Sequence, residues 1–132
     1  MKGYLLSWVV GVGEQAGGGK KKLPTWQDVN FYLDQIKDGK GSLTLDVIDA
    51  PDVGPQLLQV ISDAGKYVLS LGEDDGSDYI VRSYFNPDLK DSEYEILGDV
   101  WSGKLVCLDF SIVKNLFEEF FLTGNVSSRI LS

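Results

Sequence analysis

Leu57-Leu58-Gln59-Val60-Ile61-Ser62, a turn at Asp63-Ala64-Gly65, and Lys66-Tyr67-Val68-Leu69-Ser70-Leu71 together decide the architecture. Two runs rich in β-branched and aromatic residues flank a short glycine-containing turn, which is the pattern of an antiparallel hairpin. A second turn, Glu73-Asp74-Asp75-Gly76-Ser77-Asp78, leads into a third such run, Tyr79-Ile80-Val81-Arg82-Ser83-Tyr84-Phe85. Tight turns between successive strands predict a meander, not the parallel sheet that crossover helices build.

Working outward, Leu43, Leu45 and Val47 alternate with Thr44 and Asp46, the period of a half-buried strand. Tyr4-Leu5-Leu6-Ser7-Trp8-Val9-Val10 is a first strand, and residues 11–22, GVGEQAGGGKKK, read as a flexible glycine-and-lysine loop. Pro24 stops that segment, and Thr25 with Asp28 three residues on resembles a capping box for a helix. Trp26, Val29, Leu33 and Ile36 share one face of it, and Gly39 and Gly41 end it. Downstream, Asn86-Pro87-Asp88 breaks the meander and Tyr94–Leu97 adds a short strand. Trp101-Ser102-Gly103 makes a turn, and Leu105–Leu108 is a further strand. Ser111 is an N-cap for a last helix with Ile112, Val113, Leu116, Phe117, Phe120 and Phe121 on its apolar stripe, closed by Gly124. The expectation is an α+β fold: an antiparallel sheet of about five or six strands packed against two helices, with residues 1–132 as a single domain.

Composition narrows the chemistry. The chain has no histidine and one cysteine, so it lacks the side chain best suited to proton transfer near neutral pH and cannot form an intrachain disulfide. Cys107 lies in an apolar run and reads as a core thiol. The apolar stretch after Met1-Lys2-Gly3 is too short to span a bilayer, lacks a signal-peptide cleavage pattern and fits a core strand, so residence in the cytoplasm is expected. The formal charge of −8 opposes nucleic acid and anionic membranes. It is unevenly spread, with six basic and four acidic residues in 1–45 against six and sixteen in 46–132.

Three motifs invite chemistry and fail its geometry. Gly11-Val12-Gly13-Glu14-Gln15-Ala16 fits a permissive dinucleotide fingerprint, but Gly17-Gly18-Gly19 opposes the helix that pattern needs. The Walker spacing fails as well, because Lys21 stands where Ser or Thr holds magnesium. Glu73–Asp78 lacks the ligand spacing of a calcium loop. Carboxylates are abundant but fall in turns, and no serine or cysteine has a histidine base. No catalytic residue, cofactor or metal site is therefore expected, although a small-ligand or enzymatic domain, or a homo-oligomeric structural protein, stays open as an alternative.

The acidic segment 73–99 carries the functional expectation: a surface for a basic protein. The candidate contacts are Glu73, Asp74, Asp75, Asp78, Tyr84, Asp88, Asp91, Glu93, Glu95, Asp99 and Trp101, with only Arg82 and Lys90 of opposite sign.

Phe110-Ser111-Ile112-Val113-Lys114-Asn115-Leu116-Phe117-Glu118-Glu119-Phe120-Phe121-Leu122-Thr123-Gly124 resembles the last helix of bacterial immunity proteins, which guard cells against polymorphic or contact-dependent growth-inhibition toxins. It is most similar to the family often paired with deaminase and nuclease toxins. The strands at Ser42–Leu45 and Gly65–Leu69 extend the likeness over roughly residues 25–126. The resemblance implies a cytoplasmic inhibitor, monomeric or homodimeric, that occludes the active site of a cognate toxin domain and has no catalytic residue of its own.

Overall fold

The computed structural model describes residues 3–11, 13–89 and 91–132. Met1 and Lys2, Val12 of the glycine pattern and Lys90 of the acidic segment lie outside the described residues. The elements in order are β1 (Tyr4–Val10), β2 (Gly17–Lys22), α1 (Trp26–Ile36), β3 (Lys40–Val47), β4 (Gly54–Asp63), β5 (Lys66–Asp74), β6 (Tyr79–Ser83), β7 (Glu93–Ile96), β8 (Asp99–Ser102), β9 (Val106–Cys107) and α2 (Phe110–Thr123). The main sheet runs β2-β1-β3-β4-β5-β6, antiparallel at every pairing. Strand β9 joins the free edge of β5 beyond β6, at Tyr67 and Val68. Strands β7 and β8 form a separate hairpin. The fold is thus α+β, an antiparallel sheet with two helices.

Register follows from the apolar alternation. Leu6, Leu45, Leu58 and Leu71 form one cross-strand row, and Trp8, Leu43, Val60 and Leu69 the next. Both rows face Val29, Leu33 and Ile36 of α1 and Val113, Leu116, Phe117 and Phe120 of α2. Each leucine of this size contributes about 2 kcal/mol by leaving water. A one-residue slip of any strand would expose its share of the rows, so the register is strongly held. The Tyr4 hydroxyl donates to the Phe120 carbonyl at 2.7 Å, fastening β1 to the end of α2.

The capping box at α1 forms as expected, with Thr25 and Asp28 each accepting from the other's backbone N–H. Four local expectations are corrected. Residues 17–22 are not a loop but an edge strand, because the ladder to β1 supplies the order that glycine lacks on its own. The cap of α2 is Asp109, whose Oδ1 accepts from the Ser111 amide at 2.9 Å and its hydroxyl at 2.6 Å. Trp101 and Ser102 belong to β8; the turn lies earlier, at Leu97 and Gly98, both with positive φ. Of Leu105–Leu108, only Val106 and Cys107 pair as a strand.

Candidate partner-binding surface

The helices cover one face of the sheet and leave most of the other open. On the open face one row of polar side chains crosses all six strands: Lys20, Ser7, Thr44, Gln59, Ser70 and Ser83. The Gln59 amide donates to the Thr44 hydroxyl within that row at 3.2 Å. An adjoining row sets Asp46 between Leu5 and Leu57. Burial there raises the Asp46 carboxyl above the ordinary carboxylate range, partly offset by the positive charge of Lys20. A shallow groove of about 360 Å³ runs over Ser7, Val9, Gly18, Lys20, Ser42 and Thr44.

The β7–β8 hairpin closes one end of this open face. Tyr94, Ile96, Leu97 and Trp101 pack with Ile61, Val68 and Val106 in a second apolar cluster. The buried Asp63 carboxylate accepts from the Leu97 amide at 3.0 Å, and Lys66 donates to the Glu95 carbonyl at 3.1 Å. The tip of the hairpin is thereby pinned to the β4–β5 turn.

This placement divides the acidic candidates. Asp74, Asp75 and Asp78 surround the β5–β6 turn, whereas Glu95 and Asp99 lie at the hairpin tip beside Lys66, eight steps away along β5 or roughly 26 Å. Asp88, Asp91 and Glu93 sit on the exposed connection into the hairpin and its open end. Glu73 turns toward the helix side and accepts from Arg82 at 3.3 Å. Segment 73–99 therefore does not form one continuous face.

The β5–β6 turn is held in shape by its own carboxylates. Asp74 Oδ1 accepts from the Gly76 amide at 2.9 Å, and Asp75 Oδ1 accepts from the amides of Ser77 and Asp78 at 2.8 Å each. Those backbone donors hold the Asp75 carboxyl below its ordinary value, so it stays charged.

The aromatic candidates separate as well. Tyr84 is half-buried against the main core and bridges to Leu131, and Trp101 is half-buried in the second cluster. Within residues 73–101 the exposed aromatics are Tyr79 at 56% and Phe85 at 54%. Tyr79 reaches across Gly72 on the open face, because a glycine there leaves room for its ring. In the sequence the only cue to this was strand parity, which needs the pairing register to interpret.

Cys107 is fully buried, and burial pushes its thiol above the ordinary value. Among the described residues, no group of three or more Cys, Asp or Glu is placed to hold a metal ion. No described helix is long and apolar enough to cross a membrane.

A family described as of unknown function, DUF6911, matches residues 7–130. No curated protein matches the chain. A solved structure described as a hypothetical protein from Neisseria gonorrhoeae is similar over 96% of this chain and 92% of that one, with a TM-score of 0.77 and 17% identity. At that identity the likeness concerns the fold alone.

Proposed function

The chain belongs to that DUF6911 family of unknown function, and from its geometry we propose that it is a cytoplasmic binding protein of the bacterial immunity type, which neutralises a basic toxin domain without catalysis. The observation that carries this reading is the β5–β6 turn. Two carboxylates, Asp74 and Asp75, are fixed by backbone hydrogen bonds, and Asp78, whose amide donates to Asp75, adds a third carboxylate beside the exposed Tyr79. A turn ordered before binding loses little conformational entropy on contact. The chain's charge of −8 would speed encounter with a cationic partner, and a desolvated tyrosine would slow its release. Inhibition would follow from covering the partner's active site.

The test is growth rescue. The polypeptide segment encoded beside this gene is expressed as a toxin candidate, with and without the chain. Rescue by the chain, weakened in a D74N/D75N/D78N variant, is the expected result. Asparagine keeps the Oδ1 acceptors of Asp74 and Asp75, and the Asp78 amide still donates, so the turn is retained while the charge is removed. Rescue that is equal in this variant and insensitive to salt in binding assays would overturn the role of the turn, and no rescue would overturn the inhibitor reading.

A further inference from the structure

The two outer edges of the sheet are defended differently. Strand β2 carries Lys20, Lys21 and Lys22 along its edge, the charge pattern that discourages strand addition. Strand β6 carries Tyr79, Ile80 and Val81, which are 56%, 37% and 59% exposed, and its one charge, Arg82, is turned inward onto Glu73, Asn125, Val126 and Leu131.

The backbone of β6 is aligned for pairing. The Tyr84 amide bonds inward to the Leu69 carbonyl, whereas Ser83 exchanges two bonds outward with Ser132, at 3.3 and 3.2 Å. Alternation along an antiparallel strand then points the N–H and C=O groups of Val81 and Tyr79 away from β5. Among the described residues, no strand lies beyond them. The pairing at Ser83 and Tyr84 also shows that this edge accepts an antiparallel segment.

We propose that the outer edge of β6 receives an extended, basic segment of the partner protein as an added antiparallel strand. The proposal rests on the inhibitor reading above and names how that partner is held. Backbone bonds to Tyr79 and Val81 supply the register, and the side chains of Tyr79 and Val81 offer apolar contact on the open face. The Asp74–Asp78 turn at the same end of the strand selects lysine or arginine over acidic residues.

The experiment uses the whole chain and synthetic peptides: one of alternating lysine and valine, one of alternating glutamate and valine, and a lysine–valine peptide N-methylated at alternate amides. Amide exchange at Tyr79 and Val81 is followed by NMR. The lysine–valine peptide should slow exchange at both amides at least tenfold, while the glutamate and N-methylated peptides should not. Val81→Pro removes an outward donor without touching the ladder to β5, and should weaken peptide binding at least tenfold at an unchanged thermal midpoint.

Should V81P fail to fold, the N-methylated peptide decides the question in the native chain. Equal binding of the N-methylated peptide, with binding still lost in D74N/D75N/D78N, would overturn strand addition and leave the acidic surface standing. Equal binding of the glutamate peptide would overturn the basic partner. Protection of both amides by raised protein concentration alone would identify a second copy as the occupant, which also overturns the proposal. Pairing of the peptide as predicted, without growth rescue, would fault the inhibitor reading alone.

Discussion

A Cβ placed on Gly19 would lie 2.6 Å from Cζ2 of Trp8, inside the contact distance of any real side chain. The indole cannot retreat, because its other face stacks on Tyr32 with ring centroids 3.8 Å apart. Gly19 is therefore a packing residue. Gly19→Val should lower stability by about 1–3 kcal/mol through overpacking. Gly17→Ala, with nothing within 4 Å, should change it little. Thermal unfolding followed by tryptophan fluorescence checks both.

That contact explains what could and could not be read from the residues alone. The meander from Leu57 to Ser83, the capping box at Thr25 and the stripe of α2 are visible because each depends on neighbours close in sequence. The glycine run reads as a loop because its order comes from a ladder to β1 and from an indole at residue 8, both distant relationships. The acidic segment was visible as composition. Its division between the two ends of β5 depends on Asp63 and Lys66 pinning the β7–β8 hairpin, which no local pattern encodes.

Arg82 joins β6 to the C-terminal segment, donating to the carbonyls of Leu131 and Val126 and to the side chains of Asn125 and Glu73. Arg82→Ala should cost about 2–3 kcal/mol, the scale of charge-assisted bonds to partly buried acceptors. Leu131, fully buried, should lose its place. Amide exchange at residues 126–132 should quicken before exchange in β3 and β4 does. Uniform quickening across the sheet would contradict this local role.

The cap of α2 gives a direct comparison. Asp109→Ala removes the acceptor for both donors of Ser111 and should cost about 1 kcal/mol. Ser111→Ala leaves the Asp109-to-amide bond intact and should cost less. A larger loss in S111A, by denaturant unfolding, would return the cap to Ser111.

Stability should fall at both extremes of pH, for opposite reasons. Burial raises Tyr4, Tyr67 and Tyr84 above 10.0 and Cys107 above 9.0. Their neutral forms are favoured in the fold, so their contribution is complete below those ordinary values and lost as pH rises through the higher folded ones. Hydrogen bonds lower Asp28, Asp75 and Asp109 below 3.8, so their contribution is present above that value and lost as pH falls through the folded ones. Tyr4→Phe should make the alkaline decline shallower in a thermal-midpoint profile.

Asp46 runs against the other carboxylates. Set between Leu5 and Leu57, it is raised above 3.8 by burial, with Lys20 offsetting part of the effect. An acid raised in the fold contributes fully only below its ordinary value, and that contribution is lost as pH rises through the folded one. At pH 7 the ionised side chain therefore opposes folding. Asp46→Asn should raise stability at pH 7 by a few tenths of a kcal/mol, a figure kept small because the group is partly solvated. At pH 3 the gain should vanish, since both side chains are then neutral. A midpoint that rises equally at both pH values would show that shape, not charge, accounts for the difference.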